Sequence, residues 1–221
     1  LALGSNALRY DMDFICLAWL EHYLKGADNG IDRTPKAEYY TCGSNQWKTA
    51  SNWPVPETKE LVLYLDGSRE DAAASNGGLL TTDSPVHESS DSYLYNPEDP
   101  AIHLIDMSEN ELEVPADYAE EEKRSDVLCY STECLTEDLT ITGDATAEIF
   151  LSSDCEDTDL VVRITDVDEA GRSMKLADGV LCVRYRNQFD HPDFMEPGTV
   201  YPVKIRTTKV SHTFLKGHRL R

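Results

Sequence analysis

Four carboxylates, Asp154, Glu156, Asp157 and Asp159, crowd into six positions of "SSDCEDTDLVVRITDVDEAGR" (residues 152 to 172), directly ahead of Leu160, Val161, Val162 and Ile164. Acids at this density could bind a hard cation, work as an acid–base pair on a glycosidic bond, or form the polar entrance to a buried strand. "DCEDTD" offers oxygen ligands for calcium, but it lacks the central glycine and the distal bidentate Glu of an EF-hand loop. Glycoside hydrolysis needs two carboxyls at a set separation across the sugar, and no second catalytic element accompanies this run. The simplest reading is a turn, in which Asp and Thr side chains bond the local backbone before a strand from Leu160 to Val167.

Other chemistries find less support. The serines lack the Gly-x-Ser-x-Gly setting that exposes a nucleophile between strand and helix. Histidines 22, 87, 103, 191, 212 and 218 show no paired ligand spacing, and each reads singly as a surface or packing residue. Cys129 and Cys134 form an isolated C-x4-C without the second ligand pair a zinc site needs. No catalytic, metal or cofactor-binding residue is therefore assigned. Two tryptophans in "YYTCGSNQWKTASNWPVPETKELVLYLDG" remain: Trp47 and Trp53 could stack on sugar rings together with Tyr39 and Tyr40, or seal an interface. Trp53 stands before Pro54 and just ahead of a strand, which favours anchoring.

The elements that must position these residues fall into two kinds. In "ALRYDMDFICLAWLEHYLKGADNG", Met12, Ile15, Trp19 and Tyr23 share one helical stripe, and Phe14, Leu17 and Leu24 widen it; the spacing predicts a helix over 9–25 that stops at Gly26. After Gly30 come "AEYYTC", "ELVLYLD", "DVLCYS", "TAEIFLSS", "DLVVRITDV", "GVLCVRYR", "TVYPVKIRTT" and "SHTFL", short β-branched and aromatic runs parted by turn residues. Ala145, Ala147, Ile149 and Leu151 alternate with Thr146, Glu148 and Phe150; Leu181, Val183 and Tyr185 alternate with Val180, Cys182 and Arg184. Half-buried strands without intervening helices predict an all-β jelly-roll sandwich. Residues 67 to 126 read as an acidic crossing loop, tied down by Tyr93, Tyr95, Ile102, Leu104 and Ile105.

The chain has 221 residues and a net charge of -21, and the stretch Asp66 to Asp138 holds 20 acids against 3 bases. Such a surface repels phosphate, which excludes nucleic acid as a partner. No apolar run is long enough to span a membrane. Six dispersed cysteines suit a reducing, cytoplasmic compartment better than a disulfide scaffold. The first residues carry charges where a secretory signal needs its apolar run, and no Met begins them, so the chain reads as a piece of a longer protein.

"GSNQWKTASNWP", "LVLYLDG", "DVLCYSTECLTEDLTITGDATAEIFLSSDCEDTDLVVRITDVDEAGRSMKLADGVLCVRYR", "MEPGTVYPVKI" and "SHTFLKGHRLR" together resemble the C-terminal domain of the CocE/NonD acyl hydrolases. That superfamily takes in X-Pro dipeptidyl-peptidases, cocaine esterase and α-amino-acid ester hydrolases. The resemblance runs in consistent order over about residues 36 to 221, and "LEHYLKGADNGI" looks like the last helix of the family's catalytic domain. It implies two parts: 1–35, a terminal helix and linker from an upstream α/β-hydrolase domain, and 36–221, a jelly-roll module cut short at its last strand. It also implies that the Ser-Asp-His machinery lies upstream, that this chain alone is inactive, and that it shapes one wall of the cleft. Asp154, Asp157 and Asp159 are then turn-forming residues, which could also line the face toward the catalytic domain. The runner-up is a free-standing carbohydrate-binding module. With its domain absent, the helix could be displaced or make a homodimer, and the cut last strand could leave the edge of its partner strand exposed.

Overall fold

The computed structural model describes residues 4–8, 11–68, 77–87, 89–102, 104 and 117–221. One helix, α1 (Met12–Lys25), precedes ten strands: β1 (Ala37–Thr41), β2 (Gln46–Ala50), β3 (Tyr64–Asp66), β4 (Gly77–Thr81), β5 (Cys129–Ser131), β6 (Leu139–Leu151), β7 (Asp159–Val167), β8 (Ser173–Cys182), β9 (Tyr201–Phe214) and β10 (Arg219–Leu220). Asp11 caps α1 by accepting from the Asp13 amide at 2.9 Å, and Gly26 closes it in the left-handed region at φ 70°, its amide donating to the His22 carbonyl.

β6 pairs antiparallel with β9 along nearly its whole length, with one irregularity between Asp144 and Thr146. β7 pairs antiparallel with β8 on one side and β10 on the other. The two sheets face each other across Val183, Met195, Val203 and Ile205, joined by Ile149, Leu151, Leu160, Val162, Leu181 and Tyr201. Each fully buried aliphatic chain there contributes about 1.5–3 kcal/mol. The expected alternation holds: Ile149 and Leu151 pack inward, whereas Phe150 is 79% exposed. A β1–β2 hairpin and a small β3–β4–β5 sheet complete an all-β sandwich with a short N-terminal helix.

Several elements differ from the sequence expectation. "TVYPVKIRTT" and "SHTFL" form one strand, β9, because no turn residue interrupts the chain between Pro202 and Phe214. "GVLCVRYR" leaves the sheet at Val183, where a 3-10 turn is set by the Val183 amide bonding the Thr158 carbonyl at 2.9 Å and the Arg184 amide bonding Asp157 at 2.9 Å. Of "ELVLYLD" only Tyr64–Asp66 pairs, and β2 and β4 lie outside the expected strand runs.

β10 covers only the end of β7: it meets Asp166 and Val167, and among the described residues no strand pairs positions 159–164 of β7 on that side. β10 pairs with β7 on one side, while on the other the Leu220 carbonyl accepts from the Thr132 amide at 2.9 Å and the Leu220 amide donates to Thr132 Oγ1 at 3.1 Å. The acidic crossing loop is tied by polar bonds rather than apolar anchors: Tyr95 and Ile102 are each 55% exposed. Arg124 reaches the Asp99 carbonyl at 2.6 Å, Tyr130 donates to Asp91 at 2.5 Å, and the Leu104 amide donates to the Tyr118 hydroxyl at 3.1 Å. Ile105 lies outside the described residues.

Candidate interdomain interface

The acidic run that invited a catalytic or metal reading is a joint between strands. Asp157 accepts the Arg184 amide and pairs with the Arg184 guanidinium at 3.4 Å, and the Cys182 thiol points at its carboxylate at 3.7 Å. The backbone carbonyls of the same turn hold the segment that follows the core: Gly198 donates to Ser153 at 2.7 Å and Met195 to Glu156 at 2.8 Å. Asp159 opens β7 opposite Cys182, and Asp154 is exposed beside Cys155, whose thiol it pushes up from the ordinary value. Among the described residues no three His, Cys, Asp or Glu side chains converge as metal ligands. None of the six cysteines is joined in a disulfide. Burial raises the thiol pKa of Cys42 and Cys182, the latter aided by Asp159 and Asp157.

Two polar networks escaped the sequence reading, because their members are far apart in the chain. Asp166 on β7 meets His212 Nε2 and His218 Nδ1, each at 2.8 Å, one on each carboxylate oxygen. His212 is fully buried and its Nδ1 has no hydrogen-bond partner, so no substrate reaches this His–Asp pair and its role is to tie β9 to β7. Glu122 is buried against Arg221, Ser173 and Thr165. Pairings 43 to 99 residues apart define these sites, and no short motif marks them.

The tryptophans sit on the hairpin side. Trp47 meets Tyr40 edge-on at 5.5 Å and 65°, and Trp53 meets Tyr39 at 5.7 Å and 73°. Neither pair lies in a common plane. Trp47 donates its indole N–H to the Asn6 carbonyl at 2.8 Å, under the N-terminal segment.

Helix α1 carries an apolar surface without cover in the described chain. Met12, Phe14, Leu17, Trp19, Tyr23 and Leu24 are 51–75% exposed, and no residue of the helix is buried. Its ends are properly capped, yet the stripe that should bury it faces outward. A contiguous apolar face of this kind marks an interaction surface.

Residues 29–221 match the family described as the X-Pro dipeptidyl-peptidase C-terminal non-catalytic domain. The chain belongs to that family. Cocaine esterase of Rhodococcus sp. (strain MB1 Bresler) is 37% identical over 205 residues, covering 92% of this chain and 36% of that protein. An aminopeptidase from the marine sediment archaeon Thaumarchaeota archaeon superposes with a TM-score of 0.77 at 28% identity, over 98% of this chain and 36% of its own. A CocE/NonD family hydrolase from Staphylococcus aureus shares the fold with a TM-score of 0.63 at 19% identity, over 98% and 38% respectively. The chain thus spans about a third of the length of the relatives it matches. Helix α1 precedes the residues matched to the non-catalytic domain.

Proposed function

We propose that this chain is the C-terminal module of a serine acyl hydrolase, in which an upstream α/β-hydrolase domain performs ester or X-Pro peptide hydrolysis. The module supports that domain's fold and supplies one wall of its cleft. Residues 1–35 are the terminal helix and linker of the catalytic domain, and 36–221 are the module. The observation that carries this reading is α1: a well-capped helix with six large apolar side chains turned outward, ahead of the family-matched residues. Covering them would contribute about 1.5–3 kcal/mol each, and the preceding domain is the surface that continuity of chain brings there first. The edge-on packing of Trp47 beneath residues 4–8 supports an interface over a free sugar-binding face.

The test is hydrolysis of p-nitrophenyl acetate and of an X-Pro anilide by this chain and by the full-length parent. Turnover by the parent alone is the expected result, with the serine, the histidine and the oxyanion donors all upstream. Reproducible turnover by this chain alone would sink the proposal.

A further inference from the structure

Residues 4–8 stand ahead of α1, yet they do not hang free: the β1–β2 hairpin grips them through polar contacts to their backbone and to the Asn6 side chain. The Gly4 amide donates to Asn45 Oδ1 at 3.3 Å, and the Asn6 carbonyl accepts the Trp47 indole N–H at 2.8 Å. Asn6 Nδ2 donates to the Asn45 carbonyl at 3.1 Å. The Tyr40 hydroxyl lies 3.0 Å from Asn6 Oδ1 and 3.1 Å from Asn45 Oδ1, so its one proton is shared between them. The grip is close: a Cβ on Gly4 would stand 2.6 Å from the Tyr40 hydroxyl and 2.7 Å from Asn6 Oδ1.

The hairpin itself is firmly mounted. Cys42 and β9 exchange two backbone bonds, to Ser211 at 3.0 Å and from Thr213 at 2.8 Å, and Thr41 Oγ1 bonds Ser211 Oγ at 2.9 Å. β9 is a core strand with Val203 and Ile205 buried. By contrast Ser5, Asn6 and Leu8 are exposed, so hydrogen bonds rather than apolar burial hold this segment. A grip made of directional bonds to backbone groups fixes position more than it adds stability.

We infer that Tyr40, Asn45 and Trp47 are positioning residues for the catalytic base of the parent enzyme. This rests on the proposed function. In an α/β-hydrolase the triad members follow in the chain order serine, acid, histidine, so the histidine is the member closest in sequence to Gly4. The hairpin anchors the chain between that histidine and α1, and thereby ties the placement of the base to the rigid core of the C-terminal module.

The experiment uses the full-length parent carrying Tyr40→Phe, Trp47→Phe or Gly4→Ala, and titrates active sites with a serine-directed fluorophosphonate. With p-nitrophenyl acetate, kcat per titrated site is expected to fall roughly tenfold in each variant while KM stays within about twofold, since a small misplacement far from the chemistry is costly. The acidic limb of the kcat/KM profile, which reports the base, shifts with it. Tyr40→Phe combined with Gly4→Ala costs no more than the worse single variant, because both break the same grip. If kcat per titrated site is unchanged and only the number of active sites or the Tm falls, the three residues are merely structural and the inference is overturned. If the wild-type parent is not labelled at all, the serine-hydrolase reading fails and takes this one with it.

Discussion

Replacing Arg221 by Met tests the contribution of a buried Arg–Glu ion pair. The side chains of Arg221 and Glu122 are 8% and 10% exposed. Arg221 also donates Nε–H to Ser131 Oγ at 2.7 Å, and its amide and carbonyl exchange bonds with Thr165 at 3.1 and 2.8 Å. Met keeps the backbone bonds and much of the stem, so the change removes the cation together with its bond to Ser131 Oγ. Glu122 then keeps the hydroxyl donors Ser173 at 2.6 Å and Thr165 at 3.3 Å but loses its counter-charge among the described residues in a buried site. Removing one partner of such a pair costs about 3–5 kcal/mol, most of it the penalty of the stranded charge. For a chain of this size that is a drop in Tm of roughly 6 to 20 °C, followed by far-UV circular dichroism. The second arm neutralises the stranded group: Glu122→Gln together with Arg221→Met recovers about 1–3 kcal/mol relative to the sum of the single variants. A single-variant loss below about 1 kcal/mol, or additive singles, would refute the reasoning, since the pair would then behave as one exposed to solvent.

Two further outcomes follow from the electrostatics. Burial pushes the Asp178 carboxyl up, but Lys175 and Arg163 outweigh it and leave it below the usual carboxylate range; Arg124 holds Asp126 down, and Asp168 ends low because bonds from Arg172 and the Ala170 amide outweigh its burial. Groups depressed on folding contribute stability that is complete above the unfolded carboxylate range near pH 4 and is lost as pH falls through and below it. The Tm is therefore expected to fall from pH 5 to pH 3, more steeply in the wild type than in Asp178→Asn, and a flat profile over that interval would contradict the assignment. At Cys155, the Asp154 charge raises the thiol above its ordinary value; Asp154→Asn is expected to speed iodoacetamide labelling of Cys155 severalfold at pH 8, because the thiolate is the reactive form. An unchanged rate would show that the carboxylate does not act on the sulfur.

The alternating strands were legible because period-two burial is written locally: Ile149 and Leu151 turn to the core and Phe150 away from it, as their spacing requires. Strand ends were less so, since they depend on partners elsewhere. Val183 breaks from β8 because Thr158 and Asp157 capture two successive amides from across the turn, and nothing within "GVLCVRYR" announces that.

The charged residues divide by the same logic. The dense acidic run drew attention because its acids are adjacent, yet adjacency is what an exposed turn tolerates, with Asp154 and Asp159 left in solvent and Asp157 alone drawn to Arg184. Acids that hold the sandwich together, Glu122 and Asp166, each depend on partners 43 to 99 residues away, because a buried carboxylate survives only where several elements converge to supply donors. α1 is the converse case. Its stripe was fully legible, but the surface that covers it belongs to no described part of the chain. A local pattern can therefore declare that a face must be buried without saying against what, whereas the hold of Tyr40, Asn45 and Trp47 on Gly4 and Asn6 rests on pairings 34 to 41 residues apart that no local pattern announces.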